Sequence, residues 1–175
     1  MRLDVSKALA AEGEEIPFSG EVSLQDAQAL GEAVAFPAPA QIQGFFATVG
    51  EAMHVRGSLS FTARARCVNC LSETQRPMTA EFDAMFALTP DPTDPDLYLY
   101  DGAWIDLADM ALDSAALALP MRWLCGDDCK GLCPICGANL NETGCSCPVE
   151  ALDAHPLSAL RELITEDNEG GREAD

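Results

Sequence analysis

Positive charge is scarce in this chain: 10 Lys and Arg stand against 29 Asp and Glu, a net charge of −19 over 175 residues. A surface so negative repels nucleic-acid phosphates and acidic lipid headgroups, which excludes general affinity for either as a property of the whole protein. Histidine is scarcer still. His54 and His155 are the two present, neither has a serine or cysteine nucleophile beside it in sequence, and each reads as a solvated surface side chain. No apolar run approaches the ~18 residues that span a bilayer. A phosphate-cradling glycine loop is also missing. The first fifteen residues contain no apolar core of signal-peptide length, so the expectation is a cytoplasmic protein whose thiols stay reduced.

Cysteine, by contrast, is plentiful and unevenly spread. Six of the eight fall between Cys125 and Cys147, and the other two form an isolated pair, Cys67-Val-Asn-Cys70. In a reducing compartment such spacings point to thiolate metal sites, because a tetrahedral ion takes two short-range pairs whose chelate loops bring four sulfurs together. Cys133-Pro-Ile-Cys136 is followed by Gly137, which permits the tight turn that aims backbone amides at sulfur. Its natural mate is Cys145-Ser-Cys147, across a stretch rich in turn formers. A first zinc site is therefore expected from Cys133, Cys136, Cys145 and Cys147. Cys67, Cys70, Cys125 and Cys129 remain for a second zinc ion that would pin the cysteine-rich segment onto the body of the protein. Two alternatives stay open at this point: reduced, partly buried thiols, and a grouping in which Cys125 or Cys129 enters the distal site. The spacing Cys129-x3-Cys133-x2-Cys136 also resembles the four-iron motif of radical S-adenosylmethionine enzymes, an iron–sulfur redox alternative. Against it, 39 residues follow Cys136, too few for the large barrel of that family, and Ile135 stands where an aromatic is usual.

The centre of the chain alternates strictly. Met53, Val55, Leu59, Phe61, Ala63 and Ala65 are apolar between polar neighbours, which predicts a half-buried strand. Met78, Ala80, Phe82, Ala84, Phe86 and Leu88 repeat the pattern, so the two form an antiparallel hairpin. Placing Ala63 opposite Met78 aligns Phe61 with Ala80, Leu59 with Phe82 and Val55 with Phe86, and leaves Cys67 to Thr74 as the loop. Shorter strands are expected over 2–5, 16–22, 33–36 and 42–49. A helix near 106–119 would start at Asp106 as N-cap, bury Leu107, Met110, Ala111, Ser114 and Leu117, and stop before Pro120. The acids Asp91, Asp94, Asp96 and Asp101 fall in or beside a proline-broken loop. The expected fold is α+β: an antiparallel sheet or partly closed barrel with one or two packed helices and a C-terminal zinc-ribbon-like module. Its domains are a sheet domain over 1–122, a metal-binding module over 123–150, a short helix over 151–165 and a disordered acidic tail over 166–175.

Several segments together carry a family resemblance. They are Met1-Arg-Leu-Asp-Val-Ser, Arg64-Ala-Arg-Cys-Val-Asn-Cys-Leu, Leu117-Ala-Leu-Pro, Cys129-Lys-Gly-Leu-Cys-Pro-Ile-Cys-Gly-Ala-Asn-Leu-Asn and the Cys145-x-Cys pair. In this order they closely resemble the YceD family, the large ribosomal RNA subunit accumulation proteins. The resemblance implies a non-enzymatic factor for 23S ribosomal RNA accumulation and large-subunit assembly, with a ribosomal protein or an rRNA precursor as partner. An acidic body suits a basic ribosomal protein, whereas solubility alone is the plainer account of the charge. RNA would need a local basic patch. Arg64, Arg66 and Arg76 flank the first cysteine pair and Arg122 and Lys130 flank the second, so these five are the candidate binding residues. No membrane and no small-molecule substrate is expected.

Overall fold

Alternation of apolar and polar side chains dictates the central sheet. In the computed structural model, which describes residues 1–147 apart from 12 and 30, the long strands β6 (Ala52–Arg66) and β7 (Glu73–Ala87) form its backbone. Around them lie β2 (Ile16–Val22), β5 (Ala40–Val49) and β8 (Tyr98–Leu99), in the order β2-β5-β6-β7-β8. All pairings are antiparallel except β7 with β8, which is parallel and carries the stacked rings of Phe86 and Tyr98 at 5.2 Å. Two small antiparallel pairs complete the strands: β1 (Arg2–Asp4) with β9 (Trp104–Asp106), and β3 (Ala27–Ala29) with β4 (Glu32–Val34). The helices are α1 (Ser6–Ala10) and α2 (Ala108–Leu117). The α+β expectation therefore holds in its coarse form, as a mainly antiparallel sheet with few helices. Among the described residues the strand order is open, not closed into a barrel.

Two compact units divide the chain, Met1–Asp127 and Asp128–Asp175. The expected C-terminal helix, the acidic tail and His155 lie outside the described residues.

The hairpin register differs from the sequence expectation by two residues. Phe61 pairs with Met78, Leu59 with Ala80, Val55 with Ala84 and Met53 with Phe86. A shift of two leaves every side chain on its expected face, so hydrophobic alternation cannot distinguish the two registers. The turn decides. The Leu71 N–H bonds the Cys67 carbonyl at 2.9 Å and the Cys67 N–H bonds the Ser72 carbonyl at 2.9 Å, so β7 starts at Glu73 and the loop is shorter than expected. Pro77 is tolerated within β7 because β8 pairs only at Phe86 and Ala87, leaving β7 as the sheet edge at the proline.

A pair of facing glycines shapes the inner face. Gly44 of β5 pairs with Gly57 of β6, and over this bare spot the rings of Phe18 (β2) and Phe82 (β7) approach to 6.4 Å. Three strand spacings in a flat sheet would hold β2 and β7 about 14 Å apart. The rings therefore lean toward each other across the strip that the two glycines leave bare. A Cβ on Gly57 would meet the Phe82 ring at 2.8 Å and the Gln43 carbonyl oxygen closer still.

The helix begins later than the sequence suggests. Trp104–Asp106 is a strand, because its backbone is used in pairing with Arg2–Asp4, and the first helical residue is Ala108. Asp106 still serves the helix start, accepting the Ala108 N–H at 3.1 Å. Met110, Ala111 and Ala115 are buried, joining Val5, Ile105 and Leu107 in one core with the sheet. Leu117, expected inside, is 88% exposed. At 100° per residue it points about 120° away from Ala111, off the centre of the buried face.

Gly57→Ala is expected to destabilise the chain by about 2 kcal/mol, since the added methyl has no space between strand backbone and the Phe82 ring. Urea unfolding followed by circular dichroism measures this, and a midpoint equal to wild type would contradict the close packing at Gly57.

Candidate metal centre

In the first unit the hairpin tip and a distant segment are brought together. Cys67 ends the β6–β7 ladder and Cys70 follows within the turn, where Leu71 takes a left-handed backbone with φ of 61°. The segment from Arg122 to Cys125 is strapped along the hairpin by several contacts. The Val68 N–H bonds the Trp123 carbonyl at 2.9 Å, and the Trp123 indole donates to Thr74 Oγ1 at 2.9 Å. Arg76 stacks over the Trp123 ring at 5.6 Å and donates to the Leu124 carbonyl. Arg122 reaches Asn69 Oδ1 at 3.4 Å. This strap delivers Cys125, whose sulfur lies 3.6 Å from that of Cys70. The sulfurs of Cys67, Cys70 and Cys125 are all within 4.8 Å of one another. A tetrahedral zinc site with bonds of ~2.3 Å has sulfur–sulfur edges of about 3.8 Å, so the spacing fits such an ion.

The second unit builds its own knuckle. The Gly137 N–H bonds the Cys133 carbonyl at 2.9 Å, the Cys133 N–H bonds the Ala138 carbonyl at 2.8 Å, and Gly137 supplies the positive φ of 73° that closes the turn. Leu132 bridges Asn139, and the Leu140 N–H bonds the Gly131 carbonyl at 3.0 Å. Cys133, Cys136, Cys145 and Cys147 gather within 4.8 Å of one another. Cys129 is not in that group: its sulfur accepts from the Asn141 side-chain amide at 3.5 Å, while Asn141 Oδ1 accepts the Lys130 N–H at 2.9 Å. A four-iron cluster on Cys129, Cys133 and Cys136 would need a different arrangement from this one.

The thiols are tuned unequally. Burial works against ionisation of Cys67, yet the backbone N–H groups of Cys70, Cys125 and Asn69 outweigh it and bring the thiol down to about 6. Cys70 is lowered chiefly by the hydroxyl and N–H of Ser72. Cys133 falls to about 6 because the N–H groups of Cys136 and Ile135 point at its sulfur. Charge already placed on that knuckle then opposes further ionisation nearby. Cys147 is pushed up to about 12 by its contact with Cys136, by burial and by Cys133. Cys145 is raised too: the Cys147 N–H favours its thiolate, but the neighbouring Cys133 and burial together prevail. Four thiols so arranged ionise together only when a cation neutralises them, which is the chemistry of a thiolate metal site. The two cysteine clusters could each hold a metal ion.

The candidate basic residues meet different fates. Arg64 and Arg66 are exposed on β6, with Arg66 directly opposite Glu73. Arg76 and Arg122 are occupied by the strap. Lys130 is exposed in the second unit. His54 departs from the solvated reading: it is 30% exposed and bonded to Asp83 at 2.7 Å. Sequence reasoning missed Trp123 and Thr74, which hold the strap, and Asn141. The one available signal was a tryptophan two residues before Cys125, in a chain with two tryptophans.

Protons compete with metal for thiolates, so lowering pH from about 7 to about 5 is expected to weaken divalent-ion binding as Cys67 and Cys133 pass through their midpoints of about 6. Titration of metal-free protein against a chromophoric chelator reads this directly. Affinity unchanged over that range would contradict the tuned-thiol account.

Comparison with known proteins gives the geometry a context. The family model described as Large ribosomal RNA subunit accumulation protein YceD matches residues 55–164. An uncharacterised protein of Mycobacterium leprae is 30% identical over 99 residues, 53% of this chain and 45% of that protein. One of Mycobacterium tuberculosis H37Rv is 30% identical over 98 residues, 53% of this chain and 47% of its own length. A chloroplastic protein of Arabidopsis thaliana, named Large ribosomal RNA subunit accumulation protein YCED homolog 1, is 39% identical over 62 residues, 34% of this chain and 19% of that protein. The chain thus spans about half the length of the mycobacterial relatives it matches, and less of the plant one. No solved structure matches. The family match runs through the β6–β7 hairpin, the strap and every cysteine, and the chain belongs to the YceD family of large ribosomal RNA subunit accumulation proteins.

Proposed function

We propose that this chain acts in the cytoplasm in large ribosomal subunit biogenesis and 23S rRNA accumulation, as a non-enzymatic, zinc-stabilised scaffold that binds a basic ribosomal protein. The observation that carries the reading is the family match over 55–164, whose description names accumulation of the large ribosomal RNA. Zinc is the ion proposed for both clusters, because all-sulfur tetrahedral sites suit it and structural sites of this kind contribute folding energy directly. Cys133, Cys136, Cys145 and Cys147 form the zinc-ribbon-like site. For the other ion, Cys129 is the fourth ligand beside Cys67, Cys70 and Cys125. Supporting this, Cys129 follows Cys125 by four residues of chain.

A protein partner is preferred to RNA on two grounds. The net charge of −19 disfavours phosphate and favours Lys- and Arg-rich surfaces. Of the five candidate basic residues, Arg76 is committed to Trp123 and Leu124, and Arg66 faces Glu73 across the ladder. Direct contact of the exposed Arg64, Arg66 and Lys130, and of Arg122 on release from Asn69, with an rRNA precursor is the second reading.

Capture of tagged full-length chain from growing cells at low ionic strength is expected to recover a basic large-subunit ribosomal protein, released as salt rises through about 0.5 M. Recovery of 23S RNA fragments without such a protein, with loss on Arg64→Glu and Arg66→Glu, would favour the RNA reading instead. Metal analysis should find two zinc ions per chain, and chelation should lower the melting temperature. Brown protein holding iron would overturn the zinc assignment.

A further inference from the structure

The strongest unassigned feature is a cleft of about 730 Å³ between the edge strand β7, the 89–97 loop and helix α2. The helix contributes Met110, Asp113, Ser114 and Leu117, spaced i, i+3, i+4 and i+7, so one face of α2 lies along it. Met110 belongs also to the core, so this face adjoins the buried one, which continues through Ala111 and Ala115, while Asp113 and Leu117 are exposed. Every charged group lining the cleft is acidic: Glu81 and Asp83 from β7, Asp94 and Asp96 from the loop, and Asp113. Of these five acids, Asp83 is hydrogen-bonded to His54, and the other four form no ion pair among the described residues.

Two further observations give the cleft a preference. Tyr98 lines it and donates to Asp113 Oδ2 at 2.8 Å. Its phenol is pushed up to about 12 by burial, by Asp113 and by the fields of Asp96 and Asp109, as a locally negative potential requires. Apolar surface is interleaved with the acids. Ala84 and Met85 line one side, and Leu117, 88% exposed, stands at the end of the helix face with nothing packed on it among the described residues. A cation-lined occupant with a nonpolar side chain would neutralise the carboxylates and cover Leu117 at once.

We propose that the β7–α2 cleft is the docking site for a lysine- and arginine-rich segment of a protein partner, with an apolar side chain of that segment seated against Leu117. The proposal rests on the protein-scaffold reading above and deepens it by locating the contact. Phosphate-bearing partners are repelled from this cleft by the same carboxylates that attract a basic peptide. Metal binding at the cysteines has no part in it beyond stabilising the fold.

The test uses full-length, metal-loaded protein and a short fluorescein-labelled peptide of repeated lysine–leucine units, read by fluorescence anisotropy at low salt. The triple variant Glu81→Gln, Asp94→Asn, Asp96→Asn is expected to weaken binding about tenfold. A control triple removing equal charge elsewhere, Glu14→Gln, Glu32→Gln, Glu51→Gln, is expected to change it less than about twofold, because these exposed acids lie outside the cleft. All six positions are exposed, so both triples should melt with wild type. Leu117→Ser should weaken binding about fivefold at unchanged net charge. Equal losses in the two triples would mean attraction by total charge, and would overturn the cleft. So would tighter binding of a single-stranded RNA oligonucleotide than of the peptide. Capture from cells separates the two levels: a cleft triple that recovers the ribosomal protein as well as wild type defeats the docking site alone, whereas failure of wild type to recover any defeats the scaffold reading.

Discussion

The β6–β7 ladder is the constraint on which the rest of the first unit depends. Its register is set at the tip, where the Cys67 carbonyl and N–H are both used in closing the turn. From there each pair follows in sequence down to Met53 and Phe86. The ladder holds Cys67 and Cys70 at one end and presents Thr74 and Arg76 to the strap. It also places Glu81 and Asp83 on the edge that meets helix α2. A slip of two residues would keep the core apolar and still destroy these relations, because the strap reads individual positions and not merely faces.

The strap solves a problem of distance. Cys125 is 55 residues from Cys70, and bringing the two together carries a loop-closure cost that no local chelate spacing offsets. Trp123 and Arg76 provide the compensating contacts: a buried indole with its N–H satisfied, and a guanidinium held between that ring and the Leu124 carbonyl. The Cys133 knuckle needs no such device, since Gly137 and the carbonyl of Cys133 close it within five residues. The uneven thiol acidities follow from the same geometry. Backbone N–H groups favour the first charge in each group, and proximity then resists the next until a cation arrives.

The charge of this protein is organised as well as abundant. Two cations near the hairpin tip are held in internal contacts, Arg76 under the strap and Arg122 on Asn69, and Arg56 of β6 pairs with Glu15. The carboxylates along β7, the 89–97 loop and α2 remain mostly without cationic partners among the described residues.

Much of this was legible in the residues themselves. Alternation of period two identifies β6 and β7 and their buried faces, and the Cys-x2-Cys spacings with Gly137 mark the knuckles, because each is a local property. Asp106 reads as the helix cap from its neighbours alone, and only pairing with Arg2–Asp4 shows that its backbone ends a strand, so that the helix starts at Ala108. Leu117 was assigned inward from spacing alone, although the face of α2 that is buried depends on where the sheet lies. The sequence by itself determined the long strands β6 and β7, their apolar faces and the close cysteine spacings, all of which follow from neighbours along the chain. Tertiary structure decided the two-residue register, the capture of Arg76 by Trp123 and the acidic cleft against α2, because each depends on contacts between residues far apart in sequence that no local period encodes.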